Sequence, residues 1–212
     1  MDNFFIKREE IPEKTSILLK KLTSPIKVTP TTILGKNFLI NIPEFTNLNA
    51  KLTTKDFFTI LNSRNSTIEI FDDSILLTKQ IGNSEIVQTI KTDLELKTFN
   101  EEILGLPIAS FNLSEKIRNI LKKSKYKSLE FEVSENKIKI SADEGFEKFQ
   151  LTVHNVEMQI FKQEFKVKVR GFDFNILKID FEKHMLCFFE DFMIIYLYED
   201  DVVSAVAVEY CG

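Results

Sequence analysis

The residues able to do chemistry in this chain are few, and their spacing does not assemble a reaction. His184 and Cys187 are separated only by Met185 and Leu186, close enough to suggest a metal pair. On a strand, however, residues three apart point to opposite faces. His154 has no Cys or His near it in sequence. The acid pairs Asp72-Asp73 and Asp200-Asp201 would need further carboxylates aimed at them from strands to hold two metals, and none is evident. Both pairs fall in predicted hairpin turns, where Asp is favoured because its side chain bonds local backbone. Cys187, within Met185-Leu186-Cys187-Phe188-Phe189, reads as a small buried hydrophobe. Neither a Walker A loop nor a dinucleotide-binding glycine pattern is present. The expectation is a protein that is not an enzyme and takes no cofactor and no metal.

Composition narrows the class further. The chain has 212 residues, 28 Lys+Arg against 32 Asp+Glu, and a formal charge of -4. At 43% hydrophobic and 11% aromatic it is not a disordered chain, and its length allows one large domain or two small ones. There are 20 Phe and no Trp, and only 6 Gly, where average usage gives roughly fifteen. Two cysteines make no disulfide framework, which suits a reducing compartment. The N-terminal Met1-Asp2-Asn3-Phe4-Phe5-Ile6-Lys7-Arg8 holds no apolar stretch of signal-peptide length, and no run approaches a bilayer span. The expectation is an intracellular protein without a membrane partner, for which total charge alone argues against nucleic acid.

The elements follow a repeat. From Leu52 to Leu61, apolar Phe57, Phe58, Ile60 and Leu61 fall at helical spacing. Strands at Ile68–Phe71, Ile75–Thr78 and Glu85–Ile90 follow, with a breaker at Gly82. From Leu113 the layout returns: a helix with Ile117, Ile120 and Leu121 on one face, then strands at Leu129–Val133, Lys137–Ser141 and Phe149–Val153, with Gly145 at the equivalent joint. A third copy is expected at Phe172–Leu177, Met185–Phe189, Phe192–Tyr198 and Val202–Tyr210. A fourth, degraded copy is expected at the N-terminus, with Pro12 in the first helical turn, Ser16–Leu22 continuing the helix, and strand at Ile33-Leu34 and Phe38–Ile42. Two copies per half imply two similar domains, residues 1–103 and 104–212, with a connector near 97–107.

Charge is divided by element. Residues 113–127 carry Lys116, Arg118, Lys122, Lys123, Lys125 and Lys127 against Glu115 alone. Helical spacing sets Arg118, Lys122 and Lys125 on one flank, and Lys116 and Lys123 on the other. The N-terminal helix adds Lys14, Lys20 and Lys21, while Lys55 and Arg64 flank the second helix. The acids Glu190, Asp191, Glu199, Asp200 and Asp201 gather in the C-terminal turns. Basic faces on equivalent helices suit a surface that follows phosphate without reading bases. A solvated helix surface is the plainer alternative.

With this arrangement the chain resembles the DNA sliding clamps, the family of proliferating cell nuclear antigen and the T-even-type bacteriophage clamp, and it is most like the phage type in length. Ile103-Leu104-Gly105-Leu106-Pro107 resembles the exit of the clamps' interdomain connector, and Ala205-Val206-Ala207-Val208-Glu209-Tyr210 looks like the phage clamp's closing strand. The similarity covers most of residues 45–212, whereas residues 1–44 are short for a full unit. The resemblance implies an α+β fold of two helix-plus-antiparallel-meander domains, assembled as a homotrimer with helices inside and sheets outside. It implies a processivity factor in DNA replication that encircles double-stranded DNA and tethers the polymerase. Lys14, Lys20, Lys21, Lys55, Lys116, Arg118, Lys122, Lys123 and Lys125 would face DNA. Leu104, Leu106 and Pro107 would bind short hydrophobic peptides of DNA polymerase and clamp loader. The setting would be the host cytoplasm if the protein is viral, and otherwise the nucleoid or nucleus. A heterotrimeric clamp subunit and a non-enzymatic virion protein with the same repeat are the alternatives.

Overall fold

Thr53 and Ser114 decide where the two central helices begin. The Thr53 hydroxyl accepts from Asp56 N at 3.1 Å and donates to the Asp56 carboxylate at 2.6 Å. The Ser114 hydroxyl accepts from Ile117 N at 3.4 Å. Each satisfies a backbone donor that an opening helix leaves without a partner. Helix α2 (Thr54–Leu61) then buries Phe57, Ile60 and Leu61, and α3 (Glu115–Leu121) buries Ile117 and Leu121. The sequence reading started α2 at Leu52. Instead Leu52 and Thr53 close a strand, because Leu52 is fully buried there and Thr53 is the cap.

The structure, a computed structural model, describes residues 4–22, 25–63, 66–92, 94–96, 98, 105–122, 128–144, 147–170 and 172–211. The chain divides into two units: Met1–Phe99 with Asp201–Ser204, and Asn100–Asp200 with Ala205–Gly212. Most of the expected connector, including Leu104, lies outside the described residues.

In the first unit, α1 (Glu13–Lys21) follows Pro12 and buries Thr15, Leu18 and Leu19, one stripe at i, i+3 and i+4. A meander follows: β1 (Pro25–Val28), β2 (Thr32–Leu34) and β3 (Phe38–Asn41), paired antiparallel in order. The N-terminal copy is therefore a complete helix and meander, which corrects its reading as degraded. The strands expected at Ile33-Leu34 and Phe38–Ile42 are β2 and β3, whereas β1, of four residues, is too short for alternation to reveal. Strand β4 (Ala50–Thr53) leads into α2 but pairs with β1. A second meander joins β5 (Ser66–Ile70), β6 (Ser74–Ile81) and β7 (Ser84–Lys91). The β6–β7 turn sets Gly82 at φ +61°, the left-handed region where a missing Cβ removes the steric cost.

The second unit repeats this plan with longer strands. Strand β8 (Ala109–Asn112) leads into α3, and the meander is β9 (Ser128–Ser134), β10 (Lys137–Glu144) and β11 (Glu147–His154). Strands β12 (Met158–Phe161) and β13 (Phe165–Arg170) follow, neither legible beforehand. The third expected helix is a 3-10 turn, Phe174–Lys178, capped by Asp173. The last meander is β14 (Lys183–Phe188), β15 (Phe192–Glu199) and β16 (Val202–Glu209).

Leading strands change partners. Strand β8 opens the α3 copy yet pairs with β14 of the next, while β13 opens the next copy and pairs with β9. The two copies thus clasp each other, in sheets ordered β12-β8-β14-β15-β16 and β11-β10-β9-β13. Between them Phe188 meets the rings of Phe111, Phe131 and Phe165 at 6.0, 5.7 and 5.1 Å. In the first unit the residues ahead of α1 form an isolated Ile6–Thr46 bridge, and β5-β6-β7 stays three-stranded. No helix among the described residues is long and apolar enough to cross a membrane.

Candidate nucleic-acid interface and partner pocket

The basic residues expected to face DNA divide into exposed and engaged groups. Lys20 and Lys21 are exposed at the end of α1, Lys55 on α2 and Lys116 on α3, while Lys14 and Lys122 are half-buried. Lys20, Lys21, Lys55, Lys116 and Lys122 form no ion pair with another described residue. Helices α1 and α2 are neighbours: Lys20 Nζ lies 5.3 Å from the Phe58 ring, and the Thr54 hydroxyl donates to Leu22 O at 3.5 Å. The end of α1 that carries Lys20 and Lys21 thus lies against α2, whose first turn carries Lys55. Such exposed ammonium groups add up to a field that attracts phosphate at long range and fixes no register. Lys123, Lys125, Lys127 and Arg64 lie outside the described residues.

Arg118 differs. Its side chain is 17% exposed, and Nη1 lies 3.0 Å from Asp180 Oδ1. The same nitrogen lies 3.4 Å from His184 Nδ1. The guanidinium points into its own unit.

The polar residues weighed first as chemistry fall into structural places. His184 is buried on β14, whereas His154 is exposed at the end of β11. Burial pushes the Cys187 thiol up to about 11. Asp73 accepts from the Ser74 hydroxyl at 2.9 Å in the β5–β6 turn, where Phe71 N also donates to Ser74 O. Asp200 takes φ +49° in the β15–β16 turn, and Glu199, expected in an acidic turn surface, is buried at the end of β15. Among the described residues no three His, Cys, Asp or Glu side chains gather as a metal group.

The described part of the expected peptide site adjoins a cavity in the second unit. Leu106 is 77% exposed and Pro107 is half-buried. Leu106, Ile108, Phe189 and Phe192 line a cavity of about 590 Å³, with Lys162, Glu190 and Asp191 at its polar margin. Three hydrogen bonds fasten the strap that carries Leu106. Ile108 N donates to Phe188 O at 2.7 Å, Lys162 N to Ile108 O at 2.9 Å, and Lys162 Nζ to Leu106 O at 3.1 Å.

Across the cavity, Phe189 and Phe192 stack with centroids 5.0 Å apart, their turn closed by Phe189 N donating to Phe192 O. The Tyr210 hydroxyl donates to Phe189 O at 3.1 Å. Burial raises the Tyr210 phenol and Asp191 adds to this, so the group stays a donor. An apolar floor with a fixed polar margin accepts an aliphatic or aromatic anchor. Sequence reasoning missed Ile108, Lys162, Phe189, Phe192 and Tyr210. Two Phe flanking Glu190-Asp191 were the available signal, since a plain turn does not need paired aromatics.

No family model and no curated protein matches the chain by sequence. Solved structures do match it. Proliferating cellular nuclear antigen from Entamoeba histolytica superposes with a TM-score of 0.67 at 12% identity, covering 100% of both chains. The PCNA2–PCNA3 complex from Sulfolobus tokodaii gives 0.64 at 12% identity, and PCNA from Thermococcus kodakaraensis gives 0.62 at 13%, each over 99% of both chains. The α+β architecture, its repeated helix and antiparallel meander, and the full-length superposition agree: this chain has the sliding-clamp fold of PCNA.

Proposed function

We propose that this chain is a subunit of a sliding clamp, a ring that encircles duplex DNA and tethers a polymerase to it. The observation that carries this reading is the superposition on PCNA over the whole of both chains. The clamp acts without a catalytic step: a closed ring leaves DNA only at an end or by opening. Affinity for any one stretch of DNA can then stay low, which suits scattered surface lysines. Lys20, Lys21, Lys55 and Lys116 screen and guide the duplex from exposed helix faces, with Lys14 and Lys122 beside them. Lys123 and Lys125 belong to the same basic segment in sequence.

The ring closes edge to edge. Among the described residues, strands β7 and β11 are unpaired edges of their meanders, and pairing one with the other on the next subunit would remove both. Three subunits make the ring. Polymerase and clamp loader bind by short hydrophobic peptides at the cavity beside Leu106, with Pro107 stiffening the strap and Leu104 preceding it. A connector near residues 97–107 joins the two domains in sequence.

A heterotrimer is the second reading, favoured by one observation: a similar structure is a complex of two different PCNA chains. Light scattering separates the two. A homotrimer gives three times the 24.7 kDa chain mass from one purified protein, whereas a heterotrimer subunit stays smaller until its partners are added. A chain that stays monomeric at high micromolar concentration, and stimulates no polymerase with any partner chain, overturns both.

A further inference from the structure

Helix α3 has seven residues and buries only Ile117 and Leu121. A helix this short does not hold itself in water, so its direction depends on what grips it. Arg118 reaches from α3 to Asp180 Oδ1 at 3.0 Å, just beyond the 3-10 turn, and to His184 Nδ1 at 3.4 Å on β14. A guanidinium offers donors only, so His184 Nδ1 must accept. The imidazole proton then sits on Nε2, which donates to Ile179 O at 3.3 Å. His184 is 3% exposed, with the Phe181 ring edge-on at 6.0 Å. The backbone of His184 also fixes the entry to α3, since its carbonyl accepts from Leu113 N at 2.8 Å. One histidine thus anchors both the start of the helix and its single arginine.

We propose that Arg118 is a positioning residue: through Asp180 and His184 it fixes the direction of α3, and so where Lys116 and Lys122 project, rather than meeting DNA itself. The inference rests on reading α3 as a DNA-facing helix, and it withdraws one residue from the set that the basic pattern alone selects. Lysine cannot replace arginine here. Its Nζ ends one bond short of the place where Nη1 meets both the carboxylate and the ring nitrogen, and it has no planar guanidinium to hold that geometry.

Two variants of the full chain separate the roles, because they oppose charge to geometry. Asp180→Asn deletes a negative charge beside a basic helix. If Arg118 contacts DNA, this variant associates more tightly with labelled duplex DNA at low salt, and Arg118→Lys behaves as wild type. The positioning role predicts otherwise. In both variants amide exchange from Asn119 to Lys122 accelerates by about tenfold, the scale of losing one charged hydrogen bond. Ring nitrogen shifts report an Nε2–H tautomer for His184 in the wild type, and that signature is lost or mixed in Arg118→Lys. DNA association does not tighten. Tighter association by Asp180→Asn with unchanged exchange overturns the proposal, as do wild-type exchange and ring shifts in Arg118→Lys. Should even the wild type show no association with duplex DNA, the clamp reading fails instead, while exchange and ring shifts still decide whether Arg118 holds α3.

Discussion

The meander β5-β6-β7 and the meander β9-β10-β11 have one connectivity and opposite surfaces. In the second, β9 alternates cleanly, sinking Leu129, Phe131 and Val133 into the core, and β10 adds Ile138 and Ile140. Its other face carries cross-strand ion pairs, Glu132–Lys139 at 3.2 Å and Glu130–Lys166 at 2.9 Å. The Lys139 hydrogen bond holds the Glu132 carboxyl below its ordinary value. Strand β13 covers one edge of this sheet.

Among the described residues the first meander has no fourth strand, and its strands bury only Ile75, Leu77 and Ile90. It leaves Ile70, Phe71, Ile81, Ile86 and Val87 exposed, the last two at 54% and 51% on the outermost strand. An apolar, unpaired edge strand invites another chain. The comparison teaches that both copies end on a free last strand, β7 and β11, where the proposed ring would close, while among the described residues only the second has its first strand covered by its own chain.

The largest break should come from the completed region. Phe188→Ala removes the ring shared by Phe111, Phe131 and Phe165 and should cost about 3–5 kcal/mol, read as a lower denaturant midpoint for the second unit. Phe71→Ala in the open meander should change monomer stability by less than about 0.5 kcal/mol. Similar costs for the two would show that the copies are equally closed. Next in size, Ile86→Lys with Val87→Lys should weaken self-association about a hundredfold or more, given the apolar area lost, and leave the circular dichroism of the monomer unchanged. Unchanged mass by light scattering places the interface elsewhere.

A smaller effect is expected on DNA. Lys20→Glu, Lys55→Glu and Lys116→Glu together should abolish stimulated synthesis with the oligomer intact. Each alone should cost about twofold or less, because a diffuse field has no essential member. Full stimulation by the triple variant would show that these lysines do not guide the duplex. The smallest contrast is chemical. With its pKa raised to about 11, Cys187 stays protonated at pH 8, so iodoacetamide should modify half-buried Cys211 first. Equal labelling of both in native protein would show that β14 opens.

What the sequence disclosed follows from where each signal resides. Helices α2 and α3 were legible from their apolar spacing, though the start of α2 was set two residues early, and β9 was legible because its face changes at every step. Strands β1, β4, β8 and β12 have four residues each, too few for a period to stand out. The exchange of leading strands was invisible because β8 and β14 are far apart in sequence, and no local pattern names a distant partner. Arg118 was grouped with Lys122 for the same reason: its partners Asp180 and His184 come from the next copy of the repeat. Of the cavity's lining, Leu106 was singled out by resemblance, whereas Phe189 and Phe192 lay inside a turn that composition explained well enough.

The central claim is topological, and trapping tests it most directly. Linear duplex DNA carrying biotin at both ends is mixed with concentrated protein, capped with streptavidin and passed through a sizing column in high salt, which screens ordinary phosphate contacts. A clamp stays with the capped DNA, is lost from uncapped DNA, and is released when a restriction enzyme cuts the duplex. Loss from capped and uncapped DNA at the same rate would mean that the chain binds DNA by its charge alone, and that it is not a ring around it.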